Sequence, residues 1–306
     1  MRRRRILKIT STALALAMLC CLLSGAARGS SKKSKTAEEF SPCRIYYDGL
    51  LGGIGQHNGS FLYLPLEDTC LFFGFEISTI TEENGYTAVG DELIISQTAD
   101  SGYLTANYRY VYCPGNYRII HEEVYLQAEA LCDILGLEIS ISSDLKQADI
   151  DSSGFVLLTG SATYYEDNYS NDDIFWLSNI IHSECGHQSL ENMIGVGNVI
   201  MNRVASSRYP DTIYDVIFDD EFTVQFSPAY SGSIYNQPGE LALAATYLTL
   251  EGYNTVGDSM YFVNPYGAQG DSYDWFKYGL KFVIKIDDHE FYTLKNGDGL
   301  EDGNDS

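Results

Sequence analysis

The second half of this chain folds around the stretch Ile180-Ile181-His182-Ser183-Glu184-Cys185-Gly186-His187-Gln188-Ser189-Leu190-Glu191. Apolar residues at helical spacing stand on both sides of it: Ile174, Leu177, Ile180 and Ile181 before it, and Met193, Val196, Ile200 and Val204 after it. This period predicts two helices with a break between them. Asp172 or Asp173 is positioned to cap the first helix, and Glu184 falls at its end, near a cleft.

A carboxyl group at such a helix end is expected to be half-buried. Burial disfavours the charged form, so the pKa of Glu184 should rise. A carboxyl group with a raised pKa can act as a proton donor near neutral pH. That is what a glycosidase-type acid needs.

The ends of the chain predict export. Residues 1–26 read as a signal peptide, with arginines at Arg2–Arg5, an apolar run at Ala13–Leu23 and small residues before the cleavage site. The apolar run of eleven residues is too short to span a bilayer, so an uncleaved membrane anchor is the weaker interpretation. No stable membrane insertion is expected after cleavage. We therefore expect a secreted or cell-wall protein. Residues 27–43 are expected to be a linker, and 296–306 a disordered acidic tail.

The charge excludes one class of partner. The formal net charge is −23, and cleavage of the signal peptide would remove five basic residues and no acidic one. No basic patch remains to bind nucleic acid or an anionic surface. A polymeric substrate must then be held by stacking and neutral hydrogen bonds, for which the 24 tyrosines are suited.

Five cysteines follow the predicted signal peptide: Cys43, Cys70, Cys113, Cys132 and Cys185. An odd number leaves at least one thiol unpaired in an exported protein. No CxxC pair is present, so neither a zinc ribbon nor a thioredoxin-like site is indicated. Disulfides within the first half remain open.

A repeat organises residues 44–158. The segment Leu62–Ser78 lines up with Val124–Ser140 at an offset of 62 residues, with Cys70 matching Cys132 and Gly74 matching Gly136. Each copy predicts a strand, a short helix ended by glycine, and a second strand. One such unit is too small to bury its apolar face, whereas two units packed together can bury it.

This repeat resembles the small α+β module named after the copper amine oxidase N-terminal domain, common in exported proteins of Gram-positive bacteria. The resemblance implies an accessory wall-associated or interaction domain, and therefore a protein partner for residues 44–158, without copper. His57 and His121 alone do not make a metal site, and we interpret them as surface or loop histidines.

The second half, residues 170–295, is denser in helix. Pro238 and Glu240 open an apolar helix that Gly252 stops, and the alternation over Phe282–Tyr292 predicts a hairpin or edge strand. Gly195 and Gly197 stand inside a predicted helix, where glycine lowers helix propensity by about 1 kcal/mol. Close backbone packing best explains them. The fold class predicted for the whole chain is α+β.

Three kinds of chemistry compete around Glu184. His182-x-Glu184 is half of a zinc deaminase signature, but the Pro-Cys-x-x-Cys half is absent, so we expect no metal and no cofactor. Cys185 could be a nucleophile paired in space with His289, as in a wall peptidase, although a small buried cysteine is the simpler interpretation. In the third hypothesis, Glu184 is a lone acid/base acting on a glycan.

Groups suited to sugar accompany Glu184. Aromatic faces stack on sugar C–H surfaces, and amides bond to N-acetyl groups. The candidate substrate-binding residues are Asn198, Gln225, Phe226, Ser227, Tyr235, Tyr261, Asn264 and Trp275. Asn198 and Asn202 share one helix face and are either site-lining or structural, with Asn202 favoured as structural.

An ordered series of motifs over about 120 residues looks like the cell-wall hydrolase family of SleB type, the family of the spore cortex-lytic enzymes. The motifs are Ile181–Glu191, Val196–Val204, Tyr209–Ile213, Gln225–Phe226–Ser227–Pro228, Gly232–Tyr235, Tyr261–Pro265, Trp275 and His289–Tyr292. The resemblance implies a mostly helical, lysozyme-like catalytic domain that acts on peptidoglycan glycan strands as a lytic transglycosylase.

The resemblance also implies a mechanism. The family's catalytic glutamate falls on Glu184, which would protonate the bond between N-acetylmuramic acid and N-acetylglucosamine and then help close a 1,6-anhydro ring. Cys185 and His187 depart from the small or polar residues expected in the family, and the accessory domain differs from that of the cortex enzymes. The alternative function is a catalytically silent protein that binds wall or a partner; a Cys185-dependent peptidase is a lesser alternative.

Overall fold

The computed structural model describes residues 38–156, 168–220, 226–267 and 271–295. The predicted signal peptide, most of the predicted linker, the acidic tail and Gln225 lie outside the described residues. From Phe40 onward the chain forms one compact unit. Within the described ranges, no helix is both long and apolar enough to cross a lipid bilayer.

The first half contains two sheets and two short helices. Its elements are β1 (Ser41–Tyr47), β2 (Leu50–His57), β3 (Leu62–Pro65), α1 (Leu66–Phe72), β4 (Ile77–Glu82), β5 (Gly85–Gly90), β6 (Ile94–Thr98), β7 (Tyr103–Ala106), β8 (Arg109–Tyr112), β9 (Arg118–Ile120), β10 (Glu123–Gln127), α2 (Ala128–Ile134), β11 (Glu138–Ile141) and β12 (Gln147–Asp151). One sheet runs β11-β12-β1-β2-β3-β10-β9 and the other β4-β5-β6-β7-β8.

The predicted repeat is confirmed. Each copy is strand, helix and strand, and Gly74 and Gly136 end the two helices at positive φ (+89° and +62°), a conformation that glycine adopts without strain. The first strands of the copies, β3 and β10, pair antiparallel with Leu64 opposite Leu126. Because these leucines are equivalent in the repeat, a local two-fold axis passes between them.

The two copies share one apolar core. Cys70 and Cys132, which are equivalent in the repeat, are both buried in it. All five cysteines of the described ranges are buried free thiols, so the disulfides left open by the sequence do not form there.

The second half contains helices and a three-stranded sheet. Its elements are α3 (Asn171–Cys185), α4 (Leu190–Val204), α5 (Ile213–Ile217), α6 (Ser227–Ser231), a 3₁₀ turn (Ser233–Tyr235), α7 (Glu240–Leu250), β13 (Tyr261–Val263), α8 (Asp271–Asp274), a π-helical turn (Trp275–Gly279), β14 (Leu280–Ile286) and β15 (His289–Leu294). Helices α3 and α4 both pack on α7, and the sheet order is β13-β15-β14. The predicted hairpin is therefore present.

The start of α3 corrects one prediction. The N-cap is Ser170, whose hydroxyl accepts from the backbone N–H of Asp173, while the Asp173 carboxylate accepts from the backbone N–H of Ser170. This reciprocal pair satisfies two otherwise unbonded N–H groups. Asp173 thus takes part in the cap from inside the helix, and Asp172 is not the capping residue.

Helix α4 approaches its neighbours closely at its two glycines, as predicted. A Cβ on Gly197 would lie 2.5 Å from Thr249 Oγ1 on α7, and one on Gly195 would lie 2.7 Å from Val256 Cγ1. Both distances are far shorter than van der Waals contact. These glycines allow α4 to lie against α7 and the segment that follows it.

Replacing Gly197 by alanine is therefore expected to destabilise the protein, although alanine is the better helix former. Relief of the clash must move α4 from α7, at a cost of about 2 kcal/mol. Urea unfolding followed by far-UV circular dichroism measures the change. The matched control is Gly53→Ala in β2, where an added Cβ meets nothing within 4 Å. Equal stability of both variants would show that the close approach at Gly197 is unimportant.

The two halves are joined by a charged cluster at the end of α7. Arg109 of β8 binds Glu251 (Nε to Oε2, 3.1 Å) and Asp133 (Nη2 to Oδ1, 3.3 Å), and the Tyr253 hydroxyl donates to Asp133. Nearby, Tyr110 stacks on Tyr247 of α7 with ring centroids 4.8 Å apart. A cavity of about 400 Å³ lies at this junction.

Candidate active site

Glu184 lies in the last turn of α3, half-buried, as predicted. Gly186 ends the helix with φ at +56°, a conformation that favours glycine. Burial raises the pKa of Glu184 to about 7. Among the residues that the structure describes, none donates a hydrogen bond to its carboxyl group or forms an ion pair with it. The group is thus held at a pKa near neutrality and left available to a substrate.

The loop after Glu184 is fixed by the hairpin that closes the chain. Ser189 caps α4 by accepting from Asn192, and its own backbone N–H donates to Asp287 Oδ2 at 2.8 Å. Gln188 Nε2 donates to Asp288 Oδ2 at 3.1 Å. The β14–β15 turn therefore sets the position of the short connection between α3 and α4.

A buried amide links α4 to the same hairpin. Asn192 Nδ2 donates to the Ile286 carbonyl at 2.7 Å, and Asn192 Oδ1 lies 2.9 Å from His289 Nδ1. Burial lowers the pKa of His289. Because Asn192 Oδ1 can only accept, His289 Nδ1 is the donor of this pair. His289 is thus engaged with Asn192, which removes the main support for pairing it with Cys185.

Cys185 has the wrong electrostatics for a nucleophile. It is buried, and burial followed by the charges of Glu184 and Asp287 raises the pKa of its thiol far above the usual range. An activated cysteine needs a lowered pKa, because the thiolate is the reactive form. The peptidase hypothesis therefore loses its physical basis.

Two predicted sugar-binding residues have structural roles instead. Asn198 Nδ2 donates to the Tyr253 carbonyl and Asn198 Oδ1 accepts from the Thr255 N–H, so its amide holds the segment after α7. Asn202 donates to backbone carbonyls of the same segment, which agrees with the structural role that the sequence favoured for it. Phe226 is 1% exposed and offers no face to a ligand.

The ring of Phe226 belongs to a cage around a buried arginine. The guanidinium carbon of Arg203 lies 5.1 to 5.5 Å from the ring centroids of Tyr209, Phe226 and Tyr261. Arg203 Nε also donates to the Met260 carbonyl, and the hydroxyls of Tyr209 and Tyr261 are 2.8 Å apart. Arg203 therefore braces the start of β13 against the end of α4.

The remaining predicted residues fall into two groups. Tyr261 and Trp275 are in edge-to-face contact, with centroids 5.4 Å apart, and Trp275 is 49% exposed. Asn264 Oδ1 accepts from the Tyr266 N–H in a turn after β13. Tyr235 lies elsewhere, against Trp176 of α3, and Ser227 is exposed at the start of α6. Within the described residues, no ring contact joins the two groups.

Sequence reasoning missed Trp176, Asn192 and Asp287. Trp176 belongs neither to the apolar stripe that predicted α3 nor to the residues predicted to cap it. Asn192 and Asp287 act through partners more than 90 residues away in the chain. No local pattern identifies such partners.

In the part of the chain that the structure describes, no group of three or more His, Cys, Asp or Glu side chains could hold a metal ion. His182 Nδ1 instead accepts, at 3.5 Å, from the backbone N–H of Gly239.

Comparison with known proteins adds a family match. Residues 187–292 match the family model described as Cell Wall Hydrolase. The matched range begins just after Glu184, so the role of that residue depends on its own geometry. The chain is 31% identical to a spore cortex-lytic enzyme of Bacillus cereus over 103 residues, which are 34% of this chain and 39% of the relative.

Other proteins match this chain with similar sequence identity over a similar length. The spore cortex-lytic enzyme of Bacillus subtilis is 30% identical over 97 residues, 32% of this chain and 31% of that enzyme. The chain thus spans less than half the length of the curated relatives it matches. A solved catalytic domain of the germination-specific lytic transglycosylase SleB from Bacillus anthracis is 29% identical, with a TM-score of 0.37, covering 42% of this chain and 98% of that one.

Proposed function

We propose that this chain is an exported peptidoglycan-cleaving enzyme with Glu184 as its acid/base. The observation that carries the proposal is a half-buried carboxyl group, free of polar partners among the described residues, whose pKa burial raises to about 7. Such a group is poised to give and take a proton at neutral pH. The Cell Wall Hydrolase match over residues 187–292, which begins three residues after Glu184, supports a wall glycan as the substrate.

In the proposed mechanism, Glu184 acts twice. Its protonated carboxyl group donates a proton to the glycosidic oxygen between N-acetylmuramic acid and N-acetylglucosamine, and that bond breaks. The resulting carboxylate accepts the proton of the muramyl 6-hydroxyl, whose oxygen attacks the anomeric carbon. A 1,6-anhydro ring closes, the carboxyl group is restored, and no water is consumed.

A single carboxyl group suffices for this route. Paired-carboxylate glycosidases place their two acids within about 5 to 9.5 Å of each other. A second carboxylate within about 6 Å would raise the pKa of Glu184 by charge repulsion. Burial accounts for the shift of Glu184, with no described carboxylate contributing to it.

We propose that exposed and partly exposed aromatic and polar groups of residues 170–295 hold the glycan, in a mostly helical, lysozyme-like domain. Tyr235, Tyr261 and Trp275 offer ring faces or edges, and Ser227 and Asn264 offer polar atoms. Gln225, outside the described residues, stays a prediction. Stacking and neutral hydrogen bonds suit a chain whose net charge is −23.

We further propose that residues 44–158 are an accessory domain and that the protein acts at the cell wall. The strand-helix-strand repeat supports a two-copy module, and its likeness to the copper amine oxidase N-terminal module stays a prediction, as does its protein partner. Cell-wall location rests on the predicted signal peptide and on the matched family.

Digestion of purified peptidoglycan with the protein tests the proposal. Mass spectrometry distinguishes 1,6-anhydromuramic ends from reducing muramic ends, because the anhydro product is lighter by one water. Anhydro ends are expected. Reducing ends would identify a hydrolase. Intact glycan would instead favour a protein that binds the wall without cleaving it.

The pH dependence of cleavage should follow the Glu184 carboxyl group. The first step needs its protonated form, so kcat/KM should be constant below its pKa of about 7 and should fall as pH rises above it. Initial rates of turbidity loss, measured from about pH 5 to about pH 9, give the profile. A bell-shaped curve with a second, acidic limb would indicate that a separate carboxylate base takes part.

A further inference from the structure

A cluster of partly exposed aromatic side chains lies on α3, away from Tyr261 and Trp275. Trp176 is at its centre, with edge-to-face contacts to Tyr214 (5.2 Å), Phe218 (5.3 Å) and Tyr235 (6.1 Å between centroids). We call these four residues the Trp176 patch. Tyr235 is 66% exposed and Tyr214 46% exposed. Core packing alone does not explain rings that remain this open to solvent.

The Trp176 patch is continuous with the site of Glu184. Trp176 and Ser183 are seven residues apart on α3 and so lie on the same helix face. The 3₁₀ turn that carries Tyr235 covers this face, and Ser183 Oγ donates to the Ser233 carbonyl at 3.1 Å. Glu184 follows Ser183 directly. At 1.5 Å per residue, Trp176 is about 12 Å along the helix from Glu184.

The chemistry of the patch selects its ligand. Flat rings attract the C–H face of a sugar, and the tyrosine hydroxyls can bond to sugar hydroxyls or amides. Asp172, Asp215 and Asp220 are exposed and lie within four residues of a patch residue in the chain, and their negative charge disfavours phosphate-bearing polymers. The separation from Glu184 exceeds one sugar ring, so the same strand could occupy both places.

We propose that the Trp176 patch is a sugar-binding subsite that holds the glycan strand away from the bond at Glu184. The inference rests on the proposed function, because the strand it holds is the one that Glu184 cleaves. Its effect is to retain long strands and to orient them along α3. Short fragments that end near Glu184 gain nothing from it.

The chain offers a direct probe, since it contains only two tryptophans. In a Glu184→Gln, Trp275→Phe variant, Trp176 alone reports binding, and no cleavage is needed for the signal. Titration with the N-acetylglucosamine hexamer should give a saturable fluorescence change. Adding Tyr235→Ala should weaken binding roughly fivefold or more, the loss of one aromatic contact. The matched control is Tyr108→Ala, a tyrosine 88% exposed in the first half, which should leave binding unchanged.

Cleavage by the chain with Glu184 intact separates the two proposals. Tyr235→Ala should raise KM for long glycan strands while kcat changes little, as expected for lost ground-state binding. Cleavage without any Trp176 response to the hexamer would overturn the subsite and leave the proposed function standing. A Trp176 response without cleavage would overturn the proposed function and leave the patch as a wall-binding surface. Absence of both would overturn both.

Discussion

Replacing Glu184 by glutamine is expected to lower the rate of peptidoglycan cleavage about a thousandfold or more, because it removes the group that donates the proton. Glutamine has nearly the same shape and cannot donate or accept a proton in this way. Release of soluble fragments from purified peptidoglycan measures the loss. The neighbouring Cys185→Ala variant is the control and should remain active, since its thiol is buried and its pKa is raised.

The same substitution should stabilise the fold, and this excludes misfolding as the cause of lost activity. The Glu184 carboxyl group has a pKa of about 7 in the folded chain against an ordinary value of 4.5. As pH rises from 4.5 to 7, the unfolded chain ionises first, so wild-type stability falls over that window and stays low above it. Glutamine does not ionise.

The gain from Glu184→Gln should therefore be largest above pH 7, up to about 3 kcal/mol, and vanish below about pH 4.5. Thermal unfolding of both proteins at pH 4 and pH 8 would measure it. A Glu184→Gln variant that is active would show that another residue supplies the proton. If Glu184→Gln is inactive and its stability equals that of the wild type at both pH 4 and pH 8, then Glu184 is not buried in solution.

Replacing Glu251 by alanine is expected to cost about 3 kcal/mol of stability, since it leaves a buried guanidinium with one partner fewer. The Glu251 side chain is 2% exposed and that of Arg109 14% exposed, so water cannot compensate for the lost carboxylate. Asp133 remains as a partner but is more exposed. Chemical denaturation followed by circular dichroism gives the change in free energy of unfolding.

The control for this prediction removes both charges. An Arg109→Met, Glu251→Leu variant replaces the buried ion pair by apolar groups of similar size, which is often neutral or stabilising. It should therefore be more stable than Glu251→Ala. If the double variant is the less stable of the two, then the pair contributes net attraction and the junction depends on its charge.

Several features followed from local sequence. The repeat could be found because its two copies keep the same residue types at a fixed offset, and helix ends could be found because glycine and capping residues act within a few positions. The setting of Glu184 followed in the same way, from two apolar stripes that stop on either side of it. The repeat, the helix ends and the position of Glu184 each depend on residues close together in the sequence, and the structure contains all three.

Other features depended on contacts between distant segments. Asn198 looked like a possible ligand because amides suit sugars, yet its partners, Tyr253 and Thr255, occupy both of its polar atoms. Phe226 looked like a stacking ring, yet packing against Arg203 buries it. The Trp176 patch draws its rings from three separate segments, and no spacing rule brings them together.

The five buried thiols can report on local unfolding of the protein. A thiol-specific reagent reaches a buried cysteine only when the surrounding structure opens, so each labelling rate reports how readily that part of the structure opens. Cys43, Cys70, Cys113 and Cys132 lie in the core of the first half, and Cys185 lies in that of the second. Labelling followed by mass analysis can thus follow the opening of each half separately, with no residue introduced into the chain. A junction that couples them would make all five thiols react together.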